Sequence, residues 1–441
     1  MSSPSRFDVV QSAFSPRHPV KSLSIAFALW KALIFLVVVT CPGPGYDTST
    51  SLLPYQAEGL SDVISSTHKH RIRSSYLALP LRFVRWDSIY YVHAAEHGYV
   101  FEQEWAFGYG YTRIIALLLS VLVLYKLSIH IFGSHSPKQR FLCLLSAALH
   151  IISPAGAFLS APYGEALFSL LNISGFYLYS SSVLDGGANK RVSRDLKLLA
   201  AATLFFAATT VRSNGIFGGI LFAFDAVQQL WKIVCGGLSW HAIRRLGVIV
   251  VGGCVVGLGM IVPQVIAYRE YCMVAHVSRP WCEWIIPSIY GWVQEQYWNV
   301  GFLRYWTVPN IPLFLLAMPM LALLLWSSLW GLRLSSVVRK DSNDVAPTMT
   351  TATVTSLLTR LSVVQGVLAV LALTSYHVQI INRISSGYPL WYWYLAAQLV
   401  GDATDSSATS KRNRLPAVLM QTMMIYGLIQ AILFGSFLPP A

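Results

Sequence analysis

The chain has 441 residues, 55% of them hydrophobic and 12% charged, with a mean hydropathy of +0.53. Soluble domains carry roughly a quarter charged residues, so this composition excludes a water-soluble globular protein and requires a polytopic membrane protein. The formal charge is +13, but the basic residues sit mostly in short loops between apolar runs, where they report membrane topology; no nucleic-acid partner is expected.

The first apolar run, Leu23 to Thr40, is too long for the core of a signal peptide and has no small-residue cleavage site after it, so it is expected to stay as an anchor. Arg6, Arg17 and Lys21 precede it, which places the N-terminus in the cytosol. Lys31 lies inside this run, where it either pairs or snorkels. Residues 41–110 form the first large non-cytosolic loop. It is irregular through CPGPGYDTSTSLLPY, then carries apolar and aromatic residues at helical spacing from Ser75 to Tyr99, as interfacial helices do.

Spans are expected at about 112–132, 141–160 and 163–183, followed by a cytosolic loop with Lys190, Arg191, Arg194 and Lys197. The run 198–231 is too long for one crossing. Arg212-Ser213-Asn214-Gly215 interrupts it, so a helical hairpin turning at that tetrapeptide is expected. Arg244 and Arg245 mark the next cytosolic turn before a span at 246–266. Residues 268–310 make a second luminal segment rich in Trp, Tyr and Pro. A span at 311–331, a flexible cytosolic loop over 332–356, two spans flanking a turn with His377, Arg383 and Pro389, and a last span near 416–436 complete the chain. The expectation is one all-α transmembrane domain over 1–441 with about eleven crossings. No internal repeat is visible, which disfavours a transporter built on inverted repeats.

Assigning sides gathers Trp86, Asp87, Glu102, Glu165, Arg212, Arg279, Arg304, His377 and Arg383 on or near the luminal face. Helical spacing puts Tyr90, Tyr91 and Ala94 on the face of Asp87, with Trp86 beside it. An aspartate among aromatic rings suits a sugar; the plain alternative is a solvated interfacial carboxylate. His93-Ala94-Ala95-Glu96-His97 matches HxxEH, a zinc pattern with Glu96 as base, but no third ligand accompanies it and no metal is expected. The arginines suit phosphate through their planar fork, although each alone could be a snorkelling side chain. Cys272 and Cys282 either pair in an oxidising compartment or stay reduced. The sequon Asn172-Ile173-Ser174 lies within an expected span, where glycosylation has no access.

In order along the chain stand WDSIYY, AEHGY, FEQEWAF, SPAGAFLSAPYGEALF, RSNG, RPWC, PSIY, YWNVGF, HVQIINR and YWY. Together they resemble the GPI mannosyltransferase II family, called PIG-V in animals. The resemblance implies a multi-pass endoplasmic reticulum enzyme of the GT-C superfamily with a luminal active site. It implies transfer of mannose from dolichyl-phosphate mannose, without a further cofactor, onto a one-mannose glucosaminyl-inositol phospholipid. The product would carry the second mannose of the GPI anchor precursor in α-1,6 linkage, and fungal members are expected to work with a small membrane subunit. The implied catalytic candidates are Asp87, in the family's tryptophan–aspartate pair, and Glu102, at its acidic position. The implied substrate-binding set is Trp86, Tyr90, Tyr91, Glu165, Arg212, Asn214, Arg279, Trp298, Asn299, His377, Gln379 and Arg383. One departure is that the family's AFFP is here Ala106-Phe107 followed by Gly108-Tyr109-Gly110.

A β-linked donor and an α-linked product require one inverting displacement, hence a base on the acceptor hydroxyl. Dolichyl phosphate leaves as a stable anion, so cations suffice on that side. Asp87 is the expected base, with Glu102 in reserve. Arg383 and His377 are assigned to the donor phosphate and Arg279 or Arg212 to the acceptor phosphate. The rival readings are another enzyme using a dolichyl-phosphate sugar, a lipid transporter or scramblase, and a metalloprotease resting on HxxEH alone. A transporter should show polar faces along several spans, whereas here polar residues gather at luminal ends.

Overall fold

A computed structural model of the chain describes residues 15–41, 82–84, 88–90, 115–274, 279–341, 349–404 and 414–436. These fold into helices joined by turns and short 3-10 segments: α1 (Pro19–Thr40), α2 (Ile115–Phe132), α3 (Pro137–Ile151), α4 (Glu165–Gly187), α5 (Arg191–Val211), α6 (Gly219–Gly236), α7 (Trp240–Tyr268), α8 (Ile289–Gln296), α9 (Ile311–Asp341), α10 (Met349–Thr374), α11 (Leu390–Thr404) and α12 (Leu415–Ser436). Among the described residues, six helical stretches are long and apolar enough to cross a membrane: Pro19–Thr40, Glu165–Gly187, Trp240–Met273, Val308–Arg333, Thr353–Thr374 and Leu415–Ser436. The other expected windows also fall on helices, which are shorter or more polar.

Local sequence explains the breaks. Ser136 and Gln139 form a reciprocal capping box that starts α3, with Pro137 at its first turn. Expected to run to 160, that span ends at Ile151. Pro154 and Pro162 remove backbone donors, and Gly156 takes φ +36°, so 152–164 forms a compact 3-10 loop instead. The expected loop over 332–356 is mostly helical, since α9 continues to Asp341 and α10 begins at Met349.

Charged residues divide between two ends of the helix bundle. At the basic end, Asp195 pairs with Arg194 (3.0 Å), Arg244 (2.7 Å) and Arg245 (3.0 Å), and Asp185 with Lys197 (2.6 Å). Slightly deeper, Arg360 of α10 pairs with Asp225 of α6 at 2.6 Å and meets the Tyr179 hydroxyl of α4. These contacts lock α4, α5, α6, α7 and α10 together.

The opposite end carries a small cap. Cys272 and Cys282 form a disulfide with a Cα–Cα distance of 5.8 Å, answering the question their spacing left open. The cap buries Trp281 fully against Ala267, Ile289 and Val293. Gln264 of α7 accepts hydrogen bonds from the Ser288 hydroxyl and the Tyr290 backbone N–H, both at 3.1 Å. The Tyr290 hydroxyl then lies 2.7 Å from that of Ser213, tying the cap to the turn between α5 and α6.

Candidate active site

That turn is the RSNG tetrapeptide, and its geometry follows from its residues. Arg212 leaves α5 in an extended conformation (φ −147°, ψ 128°), and its carbonyl accepts from the Gly215 N–H at 2.9 Å. A β-carbon on Gly215 would lie 2.5 Å from the Thr209 nitrogen and 2.6 Å from the Ala208 carbonyl carbon, so only glycine fits against the end of α5. Gly215→Ala should therefore cost about 1–3 kcal/mol and lower the unfolding temperature in detergent; an unchanged melting curve would refute this account of the turn. Beside it, buried Asn214 donates from Nδ2 to the Tyr388 oxygen (3.3 Å), and the Tyr388 hydroxyl donates back to the Asn214 carbonyl (2.9 Å). Burial raises the Tyr388 phenol above its ordinary range, which keeps it a neutral donor.

The turn aims Arg212 at Glu165, the first residue of α4. Glu165 Oε1 accepts from Arg212 Nη1 at 2.8 Å and from Arg383 Nε and Nη2, each at 2.7 Å. Glu165 is completely buried and Arg383 nearly so, while Arg212 is half-buried. Among the described residues, two guanidiniums thus face one carboxylate. Among the described residues, Glu165 Oε2 accepts no hydrogen bond. A buried ion cluster of this kind is costly to desolvate and is the arrangement expected where an anion must be met inside a membrane protein.

Arg383 is held rigidly. It sits on the one-turn helix Ile381–Ile384, its guanidinium 3.9 Å from the ring centre of Phe158 and 5.0 Å from that of Tyr163. Its carbonyl accepts from the Ser386 hydroxyl (2.9 Å), which also meets the Ser169 hydroxyl. Asn172 Nδ2 donates to the Gly387 carbonyl at 3.0 Å, so the sequon asparagine is a buried packing residue. Tyr392 donates to the Ser386 carbonyl, and His150 bridges Tyr392 to the Ser120 hydroxyl, both at 2.7 Å.

An aromatic chain links this cluster to the segment preceding Asp87. Phe158 and Tyr163 both pack on Phe434 of α12 (6.1 and 6.2 Å between ring centres), Phe434 on Phe83 (6.4 Å), and Phe83 on Phe35 of α1 (5.7 Å). Arg82 donates to the Val39 carbonyl at the end of α1. Val84 and Ser88, on either side of Asp87 in sequence, are buried, and Tyr90 is half-buried. Trp86, Asp87, Tyr91 and Glu102 lie outside the described residues, as do His93, Glu96 and His97 of the HxxEH pattern.

The remaining candidates make other contacts among the described residues. His377 Nε2 lies 2.7 Å from the Trp298 carbonyl, and the His377 ring stacks on Tyr305 at 4.7 Å; it pins the end of α10 to the 298–305 segment. Asn299 is exposed, and Gln379 is half-buried in the 3-10 turn Val378–Ile380. Arg279 is exposed at the head of the turn Pro280–Glu283. Arg304 pairs with Glu295 at the surface (2.7 Å). Sequence reasoning named Glu165, Arg212 and Arg383 separately but missed that one carboxylate joins the two arginines.

The chain matches the family described as Mannosyltransferase (PIG-V) over residues 21–131 and 114–441. It is 67% identical over 427 residues to the GPI mannosyltransferase 2 of Aspergillus fumigatus, covering 97% of this chain and 95% of that one. It is 58% identical to the protein of the same name from Aspergillus oryzae, with 97% of each covered. Among solved structures, the apo oligosaccharyltransferase of Archaeoglobus fulgidus aligns with a TM-score of 0.36 and 11% identity, over 94% of this chain and 52% of that one. The chain belongs to the PIG-V mannosyltransferase family.

Proposed function

We propose that this chain is an endoplasmic reticulum enzyme that moves mannose from dolichyl-phosphate mannose onto a one-mannose glucosaminyl-inositol phospholipid, in α-1,6 linkage and with inversion. The observation that carries the reading is the Glu165–Arg212–Arg383 cluster: two guanidiniums held on one carboxylate as a preorganised fork at one end of a membrane-embedded bundle. The leaving group is a phosphate whose charge grows as the glycosidic bond breaks. Fixed cations aimed at that charge stabilise the transition state more than the ground state. Arg212 joins Arg383 on the donor phosphate, since both are bound by one carboxylate, and His377 takes a positioning role. Glu165 Oε2 is an acceptor suited to a sugar hydroxyl.

Asp87 supplies the base that takes the proton from the acceptor's primary hydroxyl, and Glu102 is the reserve candidate. The luminal orientation is supported by the basic loops at one end and the disulfide at the other, because cysteines pair in oxidising compartments. The names carried by close relatives support the GPI acceptor. No step in this scheme calls for a metal, since the leaving group carries a single phosphate; a small membrane subunit belongs to the same reading. The test is direct: purified protein given dolichyl-phosphate mannose and the one-mannose lipid should form a two-mannose product bearing a new α-1,6 bond. Transfer to a different acceptor only, or lipid flipping without transfer, would replace this reading with one of its rivals.

A further inference from the structure

Lys31 places an amine inside a membrane-spanning helix, and among the described residues no carboxylate pairs with it. It lies nine residues before Thr40, roughly 13 Å down α1 from that end. Its Nζ donates to the Ser160 hydroxyl at 2.6 Å and sits 5.9 Å from the Phe27 ring. Among the described residues it forms no ion pair. A charge at such depth is expensive and is kept where it meets a ligand or partner. One of its three N–H donors is used, Ser160 can donate its own proton, and both residues are half-exposed.

The second observation is where Ser160 stands. Phe158 and Tyr163, on either side of it in the same loop, are the two rings on which Arg383 stacks. The loop is fixed from behind: Gln430 of α12 accepts from the Ala157 N–H at 3.3 Å, and a β-carbon on Gly156 would lie 2.6 Å from the Gln430 oxygen. One rigid loop therefore touches two separate cationic side chains, the buried Arg383 and the half-exposed Lys31 with its hydroxyl partner.

We propose that Lys31 and Ser160 form a second anion site, which binds the phosphodiester of a lipid headgroup, that of the acceptor glycolipid. This rests on the proposed function, in which two phosphate-bearing lipids meet. The leaving phosphate gains charge and suits the arginine fork. The acceptor's phosphodiester keeps one charge throughout, which a single ammonium with one hydroxyl matches. Such a contact binds ground state and transition state alike, so it acts on KM and not on kcat.

In full-length protein reconstituted in phosphatidylcholine nanodiscs, Lys31→Met should raise the acceptor KM about tenfold, a loss of about 1.4 kcal/mol. The donor KM and kcat should stay within about twofold, and Lys31→Arg should behave nearly as wild type. Ser160→Ala, which keeps the ammonium, should raise the acceptor KM about threefold, and it decides alone if Lys31→Met does not fold. An unchanged acceptor KM, or a rise in the donor KM instead, overturns the assignment. Phosphatidylinositol added to the nanodiscs identifies the source of the phosphodiester by native mass spectrometry. Lys31-dependent retention of it together with an unchanged acceptor KM would give the site to a bulk lipid and overturn the acceptor assignment. If wild type transfers no mannose yet retains phosphatidylinositol only when Lys31 is present, the anion site stands and the proposed function fails.

Discussion

Arg383→Met should lower kcat by about 10²–10³-fold, the usual effect of removing one preorganised donor from a developing anion. The loss should exceed that of any other cation at this end of the bundle, because Arg383 makes two of the three bonds to Glu165 and is the more buried of the two arginines. Stability should respond differently from activity. Glu165→Gln leaves two guanidiniums 2.7–2.8 Å from an uncharged amide, and breaking a buried ion cluster from one side typically costs about 3–5 kcal/mol. Replacing Glu165, Arg212 and Arg383 together by Leu, Met and Met removes these three charges at once, and apolar replacements of this kind are often neutral or stabilising. The triple variant should therefore unfold near the wild-type temperature in detergent while remaining inactive. Normal turnover in Arg383→Met, or a triple variant that regains transfer, would show that the cluster only holds helices together.

The helix windows were legible because apolar runs bounded by basic loops leave few alternatives, and the hairpin break followed from the length of the run 198–231 and the polar Arg212-Ser213-Asn214-Gly215 that interrupts it. The site was legible in parts. Arg212 is 47 residues from Glu165 and Arg383 is 218, and no periodicity links positions so far apart, so their convergence had no sequence signal. The overrun of the third window had one: SPAGAFLSAP is apolar enough for a span, but its two prolines and Gly156 forbid a helix. Those same residues build the loop on which Arg383 stacks. Composition reported hydropathy correctly while hiding the backbone break that makes the site. Arg304 shows the reverse error, since side by side in a motif it resembles Arg383, yet it is spent on an exposed pair with Glu295 that contributes little. His377 likewise drew attention as a cation near a phosphate, whereas its ring nitrogen is committed to a backbone carbonyl.

Asp87→Asn should reduce transfer by about 10²–10⁴-fold, the range of general-base assistance, with no change in expression or unfolding temperature. The amide keeps the size and hydrogen-bonding reach of the carboxylate but cannot accept the acceptor's proton. Chemistry and chain position together favour Asp87 over Glu102. Phe83, four residues earlier, packs on Phe434, and Phe434 packs on the rings that carry Arg383, so the segment leading into Asp87 is anchored beside the arginine fork. A displacement with inversion needs its base on the face of the sugar opposite the leaving group, close to the fork but not bonded to it. Glu165 cannot serve, because its Oε1 is held by two arginines and is too weak a base in that company. Glu102→Gln, measured in the same assay, ranks the alternatives: a small effect there with a large one at Asp87 assigns the base, and the opposite order moves it to Glu102. Near-normal turnover in both variants would remove the carboxylate base from the mechanism and leave positioning at the arginine fork as the source of catalysis.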